Sequence, residues 1–250
     1  MATNEDFHRP EAAGAGFHTT HWSVVLAVRD QNNPLAHQAL SALCEAYWYP
    51  LYAFVRRQGK SPGDAEDLTQ SFFARLLEKK VLDTVNPEGG RFRSFLLSSL
   101  KNFLANEWDR VKAQKRGGDK VILSLDEELA ESRYEVEPAD SATPESLFEK
   151  RWAMTLLDQV LVQLRREFVA GEKADHFDAL KAFLSSPDPK ECSYAEAAGR
   201  TGLKEATVRV AVHRLRRRYG ELLRAEIANT VASPDDVEDE LRHLVRVLAG

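Results

Sequence analysis

Apolar residues return every three or four positions along almost the whole chain. This is the period of an α-helix with one buried face, and no segment of convincing length alternates as a half-buried strand does. The chain is therefore restricted to an all-α fold. Behind a Gly/Ala-rich leader (1–18), Trp22, Val25, Leu26 and Arg29 fit a short amphipathic helix that Asn32-Asn33-Pro34 ends. Leu40, Leu43, Tyr47, Leu51, Phe54 and Val55 then mark a long helix for which Pro34 suits the first turn. Pro50 within that run predicts a kink or a split. After a Gly59–Gly63 turn, Asp64 opens a helix through Ala65, Leu68, Phe72, Leu76 and Leu77. A loop from Asp83 to Gly90 leads to a helix from about Arg91 to Lys115, which Gly117-Gly118 stops.

In the second half, Thr143 before Pro144 is an N-cap signal. It opens a helix through Leu147, Trp152, Leu156, Leu157, Val160, Leu161 and Leu164. A shorter helix is expected over Phe177–Leu184. The last helix is capped by Ser233-Pro234-Asp235-Asp236 and carries an apolar stripe of Val237, Leu241, Leu244, Val245 and Leu248.

Composition narrows the functional classes. With 43% hydrophobic residues there is material for real cores, so wholesale disorder is excluded. No apolar run approaches the roughly 18 residues of a membrane span, so no membrane insertion is expected. The first residues lack a basic region followed by an apolar one, so a secretory signal is not expected and a cytoplasmic location is. The two cysteines, Cys44 and Cys192, lie far apart, which speaks against a disulfide framework or a cysteine zinc site. The histidines form no metal-binding spacing, and neither a phosphate-cradling glycine motif nor a nucleophile elbow is present. No catalytic residue, metal or cofactor is expected.

The net charge of −5 hides a strong pattern. Arg91, Arg93, Lys101, Arg110, Lys112, Lys115 and Arg116 make one basic block. Arg200, Lys204, Arg209, Arg214, Arg216, Arg217, Arg218 and Arg224 make another. Between them runs an acidic stretch that includes Asp126, Glu127, Glu128, Glu131, Glu135 and Glu137. The expected organisation is a first helical domain over 19–117, an acidic and weakly structured linker over 118–143, a second domain over 144–232 and a C-terminal helical extension over 233–250. Two basic modules on one acidic tether point to nucleic acid.

The second module carries a helix-turn-helix pattern. Ser193 can cap a short helix whose Ala197 and Ala198 allow a second helix to cross closely. Gly202 falls where the chain must turn with positive φ. Leu203 plugs the core, and Val208 and Val212 point inward from the helix that follows. On that helix Lys204, Thr207, Arg209 and His213 would meet base edges in the major groove, while Arg214, Arg217 and Arg218 would meet phosphate.

The first module carries Asp64-Ala65-Glu66-Asp67-Leu68-Thr69-Gln70-Ser71-Phe72-Phe73 and, further on, Arg91-Phe92-Arg93-Ser94-Phe95-Leu96-Leu97-Ser98-Ser99-Leu100-Lys101-Asn102-Phe103-Leu104. Both segments, and the order region two, acidic tether, helix-turn-helix, resemble bacterial extracytoplasmic-function sigma factors over roughly residues 36–228. The resemblance implies a non-enzymatic role in promoter-specific transcription initiation. Asp64, Glu66, Asp67 and Gln70 would bind the clamp helices of the largest subunit of core RNA polymerase, with the flap as a further contact. Arg91, Phe92, Arg93, Phe95, Lys101 and Asn102 would bind the melted −10 element, with Asn102 the first choice for a base-edge contact in a pocket. The residues named on the second module would read the −35 element. Promoter DNA and an anti-sigma factor or other regulator are the further partners implied. The linker would thread a polymerase channel otherwise used by nucleic acid.

Three departures stand out. Thr69 replaces an aliphatic residue, which raises the hypothesis of phosphorylation at this site. Val210 and Ala211 stand where Ser and Arg are frequent. The helix after 233 lies outside the two-domain pattern, as either packing or an internal brake. The alternative function is a helix-turn-helix regulator that binds duplex DNA as a dimer and never joins the polymerase.

Overall fold

The computed structural model describes residues 36–76, 91–113, 127–135, 143–185, 192–231 and 233–249. The leader, the expected Trp22 helix, the Asp83–Gly90 loop and the Gly117-Gly118 stop lie outside the described residues. The described elements are all helical: α1 (Ala36–Arg57), α2 (Pro62–Leu76), α3 (Phe92–Ala113), α4 (Glu127–Glu135), α5 (Pro144–Ala170), α6 (Ala174–Leu180), α7 (Ala182–Ser185), α8 (Tyr194–Thr201), α9 (Glu205–Ala228) and α10 (Val237–Ala249). A 3₁₀ turn at Pro234–Asp236 leads into α10. No strand occurs among them.

Local chemistry explains where the helices begin. Thr143 is extended, and its hydroxyl accepts the Ser146 N–H at 3.1 Å, with Pro144 in the first turn of α5. Ser193 does the same for α8, accepting the Glu196 N–H at 3.3 Å. Ser233 accepts from Asp235 at 3.3 Å ahead of α10. Gly202 closes α8 with φ of +69°, a left-handed turn that a side chain would resist.

Pro50 neither splits nor ends α1, which runs through it as a single helix. A proline inside a helix costs about 3 kcal/mol. That cost is outweighed because Tyr47, Leu51, Tyr52, Ala53, Phe54 and Val55 around it are all fully buried.

Two hydrophobic cores form, and the division between them does not fall at the start of α5. The first half of α5 supplies Leu147, Phe148, Trp152, Ala153 and Leu156 to the core built on α1, α2 and α3. Its second half supplies Val160 and Leu164 to the core under α8 and α9. One continuous helix therefore ties both cores together. Ile227 at the end of α9 and Leu244 of α10 also enter the first core.

The acidic linker was expected to be weakly structured, yet 127–135 is a helix packed on α1 and α2. Ala130 is buried there. Glu131 is gripped by Arg56 through Nε at 3.0 Å and Nη2 at 2.6 Å, and it accepts the Tyr52 hydroxyl at 2.6 Å. The Arg56 guanidinium holds the Glu131 carboxyl below the usual carboxylate range. An acidic composition keeps a segment solvated only when no partly buried cation awaits it, and Arg56 supplies one.

Candidate nucleic-acid interface

Three surfaces carry the residues singled out from the sequence. On α2, the inward face is Ala65, Thr69, Phe72, Phe73 and Leu76. Thr69 is fully buried and its hydroxyl donates to the Ala65 carbonyl at 2.7 Å, so it packs as an aliphatic residue would. A kinase cannot reach it in this fold, which removes the phosphorylation hypothesis. The other face presents Asp64, Glu66, Asp67 and Gln70. Asp64 is bound into the helix start: Ser61 donates to its carboxylate at 2.7 Å and caps its N–H at 3.2 Å. Gln70 donates to Glu66 at 2.8 Å, one turn away. Asp67 is half-buried between them.

On α3 and the residue before it, the six expected strand-binding residues separate into three pairs. Lys101 and Asn102 are exposed, and Lys101 is paired with Glu145 at 2.6 Å. Phe95 is half-buried against the first core. Phe92 and Arg93 are inside the protein, at 0% and 2% exposure, and Arg91 is half-buried at the edge. In this conformation a nucleic-acid strand can reach the first pair but not Phe92 or Arg93. Burial pushes the Arg93 guanidinium below the usual arginine range, while the carboxylate of Glu149 pulls it back.

Asn102 opens onto a pocket between α2 and α3, lined by Phe72, Arg75, Leu76, Ser99, Asn102, Phe103 and Asn106. Its aromatic wall is Phe72 and Phe103, with ring centroids 5.8 Å apart. The Arg75 guanidinium lies 5.8 Å from the Phe103 centroid. Two amides, a hydroxyl and a cation thus rim a pocket backed by Phe72 and Phe103, which are themselves buried in the first core, a set that can bond the edge of a planar base. Sequence reasoning named Asn102 and expected a pocket, but missed Phe72, Arg75, Leu76, Ser99, Phe103 and Asn106 as lining. Ser99, Asn102 and Asn106 follow one another at helical spacing, which was the available signal.

In the second module, Val208, Val212 and Leu215 of α9 are buried, and Ala197 of α8 meets them. This leaves Lys204, Thr207, Arg209, His213, Arg214 and Arg217 exposed on the outer side. Val210 shares that side at half exposure, while Ala211 is partly buried. Arg209 stacks on Tyr194 at 4.2 Å, a contact that limits its rotamers. Arg218 is bound to Glu167 at 2.7 Å and to Glu221 at 3.1 Å, and Glu167 pushes its guanidinium further up. Arg216 donates to the Phe183 carbonyl at 2.7 and 2.9 Å, bracing α9 against α7 while remaining exposed.

The pocket, the acidic face of α2 and the part of the first core built from α1, α2 and α3 fall within one recognisable segment. Residues 43–114 match the Sigma-70 region 2 family. No curated protein and no solved structure matches the chain. The region 2 match supports a sigma-factor role in general, one that engages core RNA polymerase and promoter DNA and points away from enzymatic chemistry. It spans α1 from Leu43, the whole of α2 and the whole of α3. Helices α8 and α9 lie beyond it. Among the described residues no helix is long and apolar enough to cross a membrane, and no group of three or more His, Cys, Asp and Glu side chains could hold a metal ion.

Proposed function

We propose that the protein is a sigma factor of the extracytoplasmic-function type that directs promoter-specific transcription initiation. In this reading Glu66, Asp67 and Gln70 dock on the polymerase clamp helices, with Asp64 fixing the start of their helix. The pocket between α2 and α3 takes an unstacked base of the melted −10 strand, and Lys101, exposed next to Asn102 in the chain, exchanges Glu145 for phosphate. Helix α9 reads the −35 element in duplex DNA.

The observation that carries the proposal is the pocket within the region 2 segment. Unstacking a base costs a few kcal/mol. A pocket backed by Phe72 and Phe103, with Asn102, Asn106 and Arg75 at its rim to bond the edge of the base, suits a protein that acts on separated strands.

Retention of the protein on purified bacterial core RNA polymerase tests the reading. Wild type is expected to be retained, and Asp67→Ala to bind about tenfold more weakly, roughly 1.4 kcal/mol, with unchanged helix content. No retention of wild type, together with intact duplex binding, would hand the case to a DNA-binding regulator that works apart from the polymerase.

The recognition helix gives a second expectation. Arg209→Ala should cost about 1–3 kcal/mol at one position of the duplex site and relax specificity there. Arg217→Ala should weaken all sequences alike and reduce the salt slope by about one. Titrations of specific and random duplexes at several salt concentrations separate the two, and equal losses on both duplexes would overturn the assignment.

A further inference from the structure

The cations at the start of α3 are already occupied, and by carboxylates from far along the chain. Arg93 forms an ion pair with Glu240, whose side chain is 0% exposed. Its Nε also meets Glu149 Oε2 at 2.7 Å. Arg91 Nε reaches Glu240 Oε2 at 2.8 Å. His243 Nε2 lies 2.9 Å from the same Glu149 oxygen. The Arg93 guanidinium stacks on Trp152 at 4.5 Å. The main chain joins in: the Phe92 N–H, the first of α3, donates to the Thr230 carbonyl at 3.2 Å, just past the end of α9. Two carboxylates, from α5 and α10, thus face two guanidiniums, with the residues after α9 closing the helix start.

We propose that α10 is an intramolecular competitor for the DNA strand. Glu240, supported by Glu149, holds Arg91 and Arg93 where the phosphates of a single strand would otherwise lie, and α10 must leave before the strand can use them. The inference rests on reading α3 as a strand-binding helix. Carboxylate and phosphate oxygens pair with guanidinium in the same forked geometry, so one can replace the other. A buried ion pair is also a poor choice for simple bracing, because apolar residues of similar volume hold as well or better. Helix α10 suits release. It packs through Leu244, with Val237, Leu241, Val247 and Leu248 only partly buried, and its Val245 is 63% exposed.

The test uses the full chain and a fluorescent, short, random-sequence pool of single-stranded DNA. Glu240→Gln is expected to bind the pool about tenfold more tightly than wild type, within the usual range of intramolecular coupling. Its binding should also fall more steeply with salt, because more phosphates are contacted. In wild type, hydrogen exchange over 237–249 should rise when DNA is bound. Unchanged affinity of a Glu240→Gln variant with full helix content would overturn the proposal. So would undiminished protection of 237–249 in the DNA complex, a measurement on wild type that decides even if the variant does not fold. If neither wild type nor variant binds single strands at low salt, the strand-site reading itself falls, and the competitor with it.

Discussion

Replacing Arg93 by methionine is expected to lower the free energy of unfolding by about 3–5 kcal/mol, read as a fall in the urea midpoint with unchanged slope. The methionine fills much of the same volume, so lost packing is the smaller part. The larger part is the charge left behind: Glu240 is fully buried and keeps only Arg91 at the edge, while Glu149 keeps only His243. The double variant Arg93→Met, Glu240→Gln is expected to recover about 0.5–3 kcal/mol of that loss, since the orphaned charge is then removed too. Strict additivity of the two changes would show that the pair is not coupled, and that Arg93 acts through Glu149 and its packing on Trp152 instead.

Trp152→Ala is expected to cost about 3–5 kcal/mol, by the same measurement. Trp152 is 1% exposed, lies in the part of α5 that faces α1 and supports the Arg93 guanidinium. Its indole hydrogen-bonds with the buried Tyr47 hydroxyl, whose acidity burial suppresses. Trp152→Phe keeps most of the volume but removes the indole N–H from that hydroxyl, for an expected loss of about 1–3 kcal/mol. A phenylalanine variant as damaged as the alanine one would place the effect in shape complementarity instead of the hydrogen bond. Because α5 joins both cores, the alanine variant should also increase hydrogen exchange in α9.

The two variants probe features of different legibility. Trp152 stood out in the sequence as an apolar position at helical spacing, and its burial followed from that pattern. Arg93 stood in a basic block that reads as a surface for phosphate, and nothing within several residues of it signals burial. The partners that neutralise it, Glu149 and Glu240, lie beyond the linker and in the extension. Glu240 falls in the first turn of its helix, where acids are favoured by the helix dipole anyway, and Glu149 stands beside Lys150 and Arg151 as an ordinary charged position of α5. The extension likewise showed an apolar stripe, but a stripe does not say what it covers.

What the sequence determined by itself is everything that depends on residues within a few positions of one another. The helical period, the hydroxyl caps at Thr143, Ser193 and Ser233, the left-handed turn at Gly202 and the outward set on α9 all belong here. So do the region 2 motifs, because their spacing is carried on α2 and α3. Tertiary structure alone decided the rest: that α1 passes through Pro50, that α4 docks through Glu131, that α5 serves two cores, and that Phe72 and Arg75 complete a pocket with Asn102. It also decided that Arg91 and Arg93 face Glu240. Caps and turns are set by local sterics and hydrogen bonds, which a sequence displays directly. Burial and charge pairing between distant segments are set by which surfaces meet, and a buried charge stays hidden until its partner is brought to it.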